Sequence, residues 1–260
     1  MNLFRQIGAV TMMNFKSLPH RVGTSIVIVI GIAGVVAVLV SVLAMSTGML
    51  QTMENSGRDD RAIVLRNGSA AESGSALGRD AARLVQDAAG VKRDSAGKPI
   101  VSAESLRLVN LFRKDDGSEV NVAMRGVGPQ LAALRPEIKI TQGRMFRPAV
   151  TEIIVGKAAH AQFKGLNIGD QIKTRGATWT VVGVYSSGGD AHESGLMTDA
   201  ETLLAADQRG GFQSVTVLLE SAASFQKFKD ALTSNPALAV EVSREREYYR
   251  RQSETIGNIS

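Results

Sequence analysis

No cysteine occurs anywhere in the 260 residues, which excludes disulfides, thiol catalysis, Cys-ligated zinc, iron–sulfur clusters and a cysteine-linked lipid anchor. Aromatic residues are scarce at 5%, and there are only three histidines, His20, His160 and His192. No G-x-x-x-x-G-K-[ST] loop is present. Gly97-Lys98 is followed by Pro99, and Gly156-Lys157 by Ala158, so the chain lacks the backbone cradle that holds nucleotide phosphates. Acid is absent from residues 1–48, which carry Arg5, Lys16 and Arg21. The other 212 residues therefore hold 27 bases and 25 acids, a net charge of +2. That balance leaves no basic stripe, and nucleic acid is excluded as a partner. With 44% hydrophobic and 21% charged residues, wholesale disorder is excluded too.

Charge is also missing from the whole of residues 22–46 (VGTSIVIVIGIAGVVAVLVSVLAMS). Fourteen of the residues from Val22 to Leu43 are Val, Ile or Leu. At roughly −0.3 to −0.6 kcal/mol each, these favour insertion into a bilayer by about 4–8 kcal/mol. The length predicts a helix that crosses a hydrocarbon core of about 30 Å. Ala44-Met45-Ser46 has the small-x-small pattern of a cleavage site. The apolar run is longer than the roughly 7–15 residues of a signal peptide, so it reads as an uncleaved anchor. The spanning residues include Val22, Ile30, Gly34, Ala37, Ser41 and Ser46, with Ala33, Ala37 and Ser41 recurring every fourth residue. Small residues at that spacing let another helix approach closely. The bases before the span place the N-terminus in the cytoplasm and everything after Met49 outside. Residues 1–20 read as a leader helix lying on the cytoplasmic membrane surface, with Leu3, Phe4, Ile7, Val10, Phe15 and Leu18 on its apolar face and Pro19 at its end.

Residues 49–243 read as alternating strands and helices. Strands are expected at 61–66, from Pro99 to Phe112, at 120–124 beyond an Asp115–Ser118 turn, at 138–140, 152–155, 171–174, 178–185, 215–219 and 239–242. Leu77, Ala81, Leu84, Val85 and Ala88 mark a helix with Gly90 as its stop, and a short helix covers 130–134. Ser224 is the expected cap of a helix with the apolar face Phe225, Phe228 and Leu232. The fold class is α+β: one N-terminal transmembrane helix, then a two-lobed extracytoplasmic domain with a β-α-β body and an inserted mostly-β lobe at about 146–212. Residues 244–260 read as a polar helix returning to the membrane, its run Arg244–Arg251 a solvated face.

Little in this text looks catalytic. His20 reads as interfacial charge, and His160 falls in a helix over 157–163. Asp190-Ala191-His192-Glu193 gathers ligand-type residues, but they sit in one Gly/Ser loop, whereas metal sites draw ligands from separate elements. The loop reads as a solvated or interdomain connection. Ser186, Ser187 and Ser194 lie near His192 without a nucleophile-elbow motif, which argues against a hydrolase using His192 with Asp190 or Glu193. No catalytic residue, metal ligand or cofactor-binding residue is assigned.

The most distinctive local text is in the insert: Gly156, Ala159, Phe163, Gly165-Leu166, Gly169-Asp170, Ile172, then Trp179-Thr180-Val181-Val182-Gly183-Val184, preceded by Gly143-Arg144-Met145-Phe146. The glycines supply turns, and Trp179, Val182 and Val184 are expected to alternate as a core face. Together with the basic leader ending Ser17-Leu18-Pro19-His20-Arg21 and the Gly-containing span, this text resembles the N-terminal half of a MacB/FtsX-type permease of an ABC transporter. The resemblance implies a bacterial inner-membrane protein with four spans, three of them beyond this chain. It implies a dimer of permeases, a cytoplasmic ATPase subunit that binds the ATP, and an outer-membrane or periplasmic partner. It implies no cofactor in this chain. The alternative reading is a signal-anchored binding or scaffold module with a single span.

Overall fold

The computed structural model describes residues 6–8, 11–13, 22–54 and 56–257. The leader reading falls mostly outside the described residues; 6–8 and 11–13 are helical. The chain divides into two compact units, Met1–Met49 and Leu50–Ser260.

Helix α1 runs over Val22–Glu54, longer than the apolar text, because nothing between Ser46 and Glu54 breaks a helix. Within it Ile26–Ala44 is long and apolar enough to cross a membrane, covering about 28 Å. Its apolar side chains are uncovered in the chain alone; Ile30 is 65% exposed. The Ser41 hydroxyl donates to the Ala37 carbonyl at 2.7 Å, so the small-residue stripe carries no unpaired hydroxyl at that step.

The second unit is built on one ten-stranded mixed sheet. In chain order its elements are β1 (Arg61–Arg66), α2 (Arg79–Gln86), β2 (Val101–Phe112), β3 (Glu119–Val127), α3 (Leu131–Leu134), β4 (Lys139–Gly143) and β5 (Glu152–Gly156). Then follow α4 (Lys157–Gln162), β6 (Gln171–Lys173), β7 (Thr178–Ser186), β8 (Leu196–Asp199), α5 (Ala200–Ala206), β9 (Ser214–Leu218), α6 (Phe225–Thr233), β10 (Val240–Arg244) and α7 (Glu245–Gly257). The strand order is β10-β1-β9-β2-β3-β8-β5-β7-β4, with β6 paired to β7. The inserted lobe is therefore continuous with the body, joined through the parallel β3–β8 pair. The twelve-residue β2 makes this possible. Its first part, Val101–Glu104, pairs with β9, and its second, Ser105–Phe112, pairs with β3.

Two apolar cores follow from that arrangement. Ala62, Val64, Val101, Val215, Val217, Val240 and Val242 point to one face of the first half, where Val85 of α2 and Phe225, Phe228 and Leu232 of α6 cover them. In the second half Val109, Leu111, Val122, Met124, Ile153 and Val155 pack with Phe163, Trp179 and Val181.

Several local expectations change. β8 and α5 were not foreseen from sequence; Leu196-Met197-Thr198 is too short a run to stand out until β3 and β5 flank it. The strand after Pro99 begins at Val101, and α2 begins at Arg79 because Leu77 is drawn into a bridge with Phe212. Ser224 does not cap α6 with its side chain: its backbone is already helical and its hydroxyl lies 3.1 Å from that of Ser221. Trp179 and Val182 do not share a face. Trp179 and Val181 enter one core while Val182 joins Tyr185 in another, since β7 is a central strand buried on both sides with a register irregularity opposite Ile153/Ile154.

Because β2 threads both halves, unfolding is expected to be one cooperative step. Phe228→Ala, in the first half, is expected to cost about 3–5 kcal/mol. Fluorescence of the sole tryptophan, Trp179 in the second half, should report the full loss in urea; a Trp179 transition unmoved by this change would show that the halves unfold separately.

Candidate functional site

The sheet face opposite the first core is not apolar. Alternation that sends Val215 and Val217 one way sends Ser214 and Thr216 the other. The same parity presents Ser102 and Glu104 on β2, Arg61, Ile63 and Leu65 on β1, and Glu241 and Ser243 on β10. Helix α7 lies over this face through Tyr248 and Tyr249, which pack on Ile63 and Leu65. Polar strand residues that would face water in a two-layer sheet are thereby buried, and each must find a partner.

Glu245, the first residue of α7, is 0% exposed and is the centre of the resulting charged joint. Arg61 Nε donates to its Oε2 at 2.6 Å, and Arg135 Nη2 lies 2.6 Å from Oε1. The Arg58 backbone N–H donates to Oε2 at 3.2 Å. Arg61 continues to the Leu134 carbonyl at 3.0 Å and to Glu137 at 2.5 Å. Around this, residues 57–61, which follow the span in the chain, are bound to the start of α7. Arg246 pairs with Asp59 at 2.8 Å, and Arg244 donates to the Asp59 carbonyl at 2.9 Å. Gly57 is needed here: a Cβ on it would come within 2.5 Å of the Arg246 backbone. The incoming and outgoing segments of the domain thus meet at one point.

A second ionic group sits beside the first. Arg125 of β3 grips Glu72 with two parallel bonds at 2.6 and 2.8 Å and reaches Glu104 at 2.7 Å. Ser214 donates to Glu72 at 2.7 Å, and the Glu72 backbone N–H donates to the Tyr248 hydroxyl at 3.2 Å. Burial pushes the Glu72 carboxyl up, but the Arg125 charge and hydrogen bonds, with the Ser214 hydroxyl, outweigh it and hold the carboxyl at about 2. Glu245 is likewise pushed up by burial and held below its ordinary value by Arg135 and Arg61. Burial raises Tyr248 to about 12 and raises Tyr249 further, so both stay neutral donors at any ordinary pH.

The loop Asp190–Glu193 completes the site. It is buried, not solvated, and Tyr249 of α7 covers it; along the run Arg244–Arg251 the side chains of Arg246, Glu247, Arg250 and Arg251 form a solvated face, while Glu245, Tyr248 and Tyr249 turn inward. Asp190 Oδ2 lies 3.0 Å from His192 Nδ1, and the Tyr249 hydroxyl lies 3.1 Å from His192 Nε2. Glu193 is held by the N–H groups of Ser187 and Gly189 and the Ser186 hydroxyl, at 2.5, 3.1 and 2.6 Å. Among the described residues no three His, Asp or Glu side chains are grouped to hold a metal ion. A cleft of about 400 Å³ opens beside the loop, bordered by Arg125, Phe163, Tyr185, His192, Met197 and Tyr249.

The insert's motif residues lie elsewhere and serve the lobe's framework. Phe163 and Trp179 share the second core, with Trp179 Nε1 donating to Thr174 at 3.1 Å. Gly169 and Asp170 form a turn in which Asp170 accepts from the Asn167 N–H at 2.8 Å. Gly183 lets the Gly143–Arg144 backbone pass, and Gly156 touches the joint by admitting the Glu193 backbone. Val182 packs with Tyr185. Val22, Ile30, Gly34, Ala37, Ser41 and Ser46 all lie on α1.

The sequence pattern of the MacB-like periplasmic core domain matches residues 22–235. The chain belongs to that family. Its fold is similar to the periplasmic region of MacB from Actinobacillus actinomycetemcomitans, with a TM-score of 0.52 at 15% identity over 82% of this chain and 99% of that one. It is equally similar to the extracellular domain of the ABC-type transporter YknZ from Gram-positive bacteria, with a TM-score of 0.52 at 15% identity over 71% of this chain and 100% of that one. No curated protein matches the sequence. The MacB-like core therefore accounts for Arg61, Glu72, Arg125, Arg135 and His192, while Glu245 and Tyr249 lie beyond the matched residues. The sequence singles out Asp190, His192 and Glu193 as a cluster but gives no sign of Glu72, Arg125, Arg135 or Glu245. The signal was present in the alternation Ser-Val-Thr-Val and Val-Glu-Val-Ser, but it reads as a wet sheet face until α7 covers it.

Glu245→Ala would leave Arg61 and Arg135 without their shared carboxylate, and it is expected to cost about 3–5 kcal/mol in urea unfolding. Removing the exposed Arg79–Glu201 pair by Arg79→Ala should leave the midpoint where it is. Acid lability follows from Glu72. Its folded value lies below its ordinary 4.5, so its contribution, about 3 kcal/mol, is complete above pH 4.5 and is lost as the pH falls toward 2. Urea midpoints measured from pH 6 down to 2.5 should fall along this limb, and Glu72→Gln should flatten it.

Proposed function

We propose that this chain is a membrane permease component of an ABC transporter. A separate cytoplasmic subunit binds and hydrolyses ATP, and this chain converts that event into movement of its extracytoplasmic domain, for export or mechanotransmission. Membership of the MacB-like family and the fold shared with domains of ABC-type transporters support the class. The bases Arg5, Lys16 and Arg21 before the apolar helix support a cytoplasmic N-terminus, with the domain outside the inner membrane of a bacterial cell. The permease works as a dimer, with a periplasmic or outer-membrane partner beyond it.

One observation carries the mechanism. The segment that continues from the span and the helix that leaves the domain are bound to each other through Glu245. A displacement of either is felt at the same buried carboxylate, from which Arg61 leads to β1 and Arg135 to α3.

The test is purification of the full-length protein from its own cells in mild detergent. An ABC-type ATPase should copurify, and its turnover should drop several-fold when residues 5–19 are removed. Turnover indifferent to that removal would sink the reading.

A further inference from the structure

The Glu245 joint is one of several places where α7 is held, with Tyr248 on Glu72, Arg251 on Ser243 and Gln252 on the Ala70 carbonyl among the others. The one that reaches the second half of the sheet is at His192. Tyr249, one helical turn further along, meets His192 edge-on, with ring centroids 5.8 Å apart and its hydroxyl 3.1 Å from Nε2. The Asp190 carboxylate accepts from Nδ1, and Nε2 and the Tyr249 hydroxyl share the second hydrogen bond. The loop carrying His192 is rigid in itself. Ser187 donates to Asp190, Glu193 is seated on backbone N–H groups, and the His192 carbonyl accepts from the Tyr185 hydroxyl at 2.5 Å. The same loop also touches the incoming segment, where the Ala191 N–H donates to Ser56 Oγ at 2.8 Å.

We propose that this loop, residues 190–195, is a strut between the incoming segment and α7, and that the Asp190–His192–Tyr249 relay is its releasable latch. While the latch is closed, the second half of the sheet moves with α7. When it opens, the loop no longer follows α7, which stays on the first half through Glu245, Tyr248 and Arg251. The order of release follows from the chemistry. Parting Glu245 from its arginines would strand buried charges, whereas parting Tyr249 from His192 breaks one hydrogen bond at the border of an existing cleft. Tyr248 holds α7 to the Glu72 backbone, and it is Tyr249 that bonds to His192 in the loop.

The meaning of this latch in transport rests on the permease reading, but its test needs no ATPase. Hydrogen–deuterium exchange is measured on the full chain in detergent micelles. Tyr249→Phe keeps the ring and removes the hydroxyl. Exchange at residues 186–195 and 246–252 is expected to rise about fivefold or more, with strands 62–65 and 215–218 unchanged. Tyr248→Phe should loosen 72–75 and 246–252 and leave 186–195 as in the parent. The latch is overturned if Tyr249→Phe leaves 186–195 unchanged, if exchange rises evenly through the domain, or if Tyr248→Phe loosens 186–195 equally. An unchanged exchange pattern leaves the permease reading standing, and loss of ATPase coupling leaves the latch standing.

Discussion

A carboxylate with no exposed surface and two guanidiniums bound to it constrains everything around it. Once Glu245 is buried, Arg61 and Arg135 must stay where they are, because removing either partner leaves a charge in a medium that cannot solvate it. Arg61 fixes the start of β1, and Arg135 fixes the end of α3. Glu245 itself fixes where α7 begins. The ion pairs do not make this the most stable way to pack the elements, since apolar side chains of similar volume would do as well or better. Arg135 even has Nε and Nη1 without partners among the described residues. The arrangement instead specifies one geometry at the place where the chain enters and leaves the domain.

The sheet's two faces divide the labour. One carries valines under α2 and α6 and supplies the bulk of the hydrophobic stabilisation, about 1.5–3 kcal/mol for each buried aliphatic or aromatic side chain. The other carries Ser, Thr, Glu and Arg under α7 and supplies specificity. A helix seated on polar groups can shift by exchanging hydrogen bonds, while one seated on interdigitated valines cannot move without opening cavities.

Much of the fold was legible in the residues. Ile26–Ala44 could only be a spanning or fully buried helix, and Phe225, Phe228 and Leu232 recur at helical spacing. The strands at 61–66 and 152–156 stand where alternation or short apolar runs put them. The insert's glycine, Phe163 and Trp179 pattern pointed to the family. The joint was illegible for a different reason. Glu245, Arg135, Arg125 and Glu72 are separated by up to 173 positions in the chain, counting from 72 to 245, and each alone is an ordinary surface residue type. Asp190-Ala191-His192-Glu193 drew attention as a cluster, yet its partner Tyr249 lies 57 positions away.

By itself the sequence determined the helix long and apolar enough to cross a membrane, the mixed α+β class and the family, because these depend on local composition and on periodicities of 2 and 3.6 residues. Only the tertiary structure decided that the lobe extends the body's own sheet, that α7 covers the polar face, and that incoming and outgoing segments meet at Glu245. Those outcomes depend on which strand pairs with which and on which charges lose their water. No short window of residues contains that information, since a carboxylate becomes a joint only when the folded chain removes its solvent and brings two arginines to it.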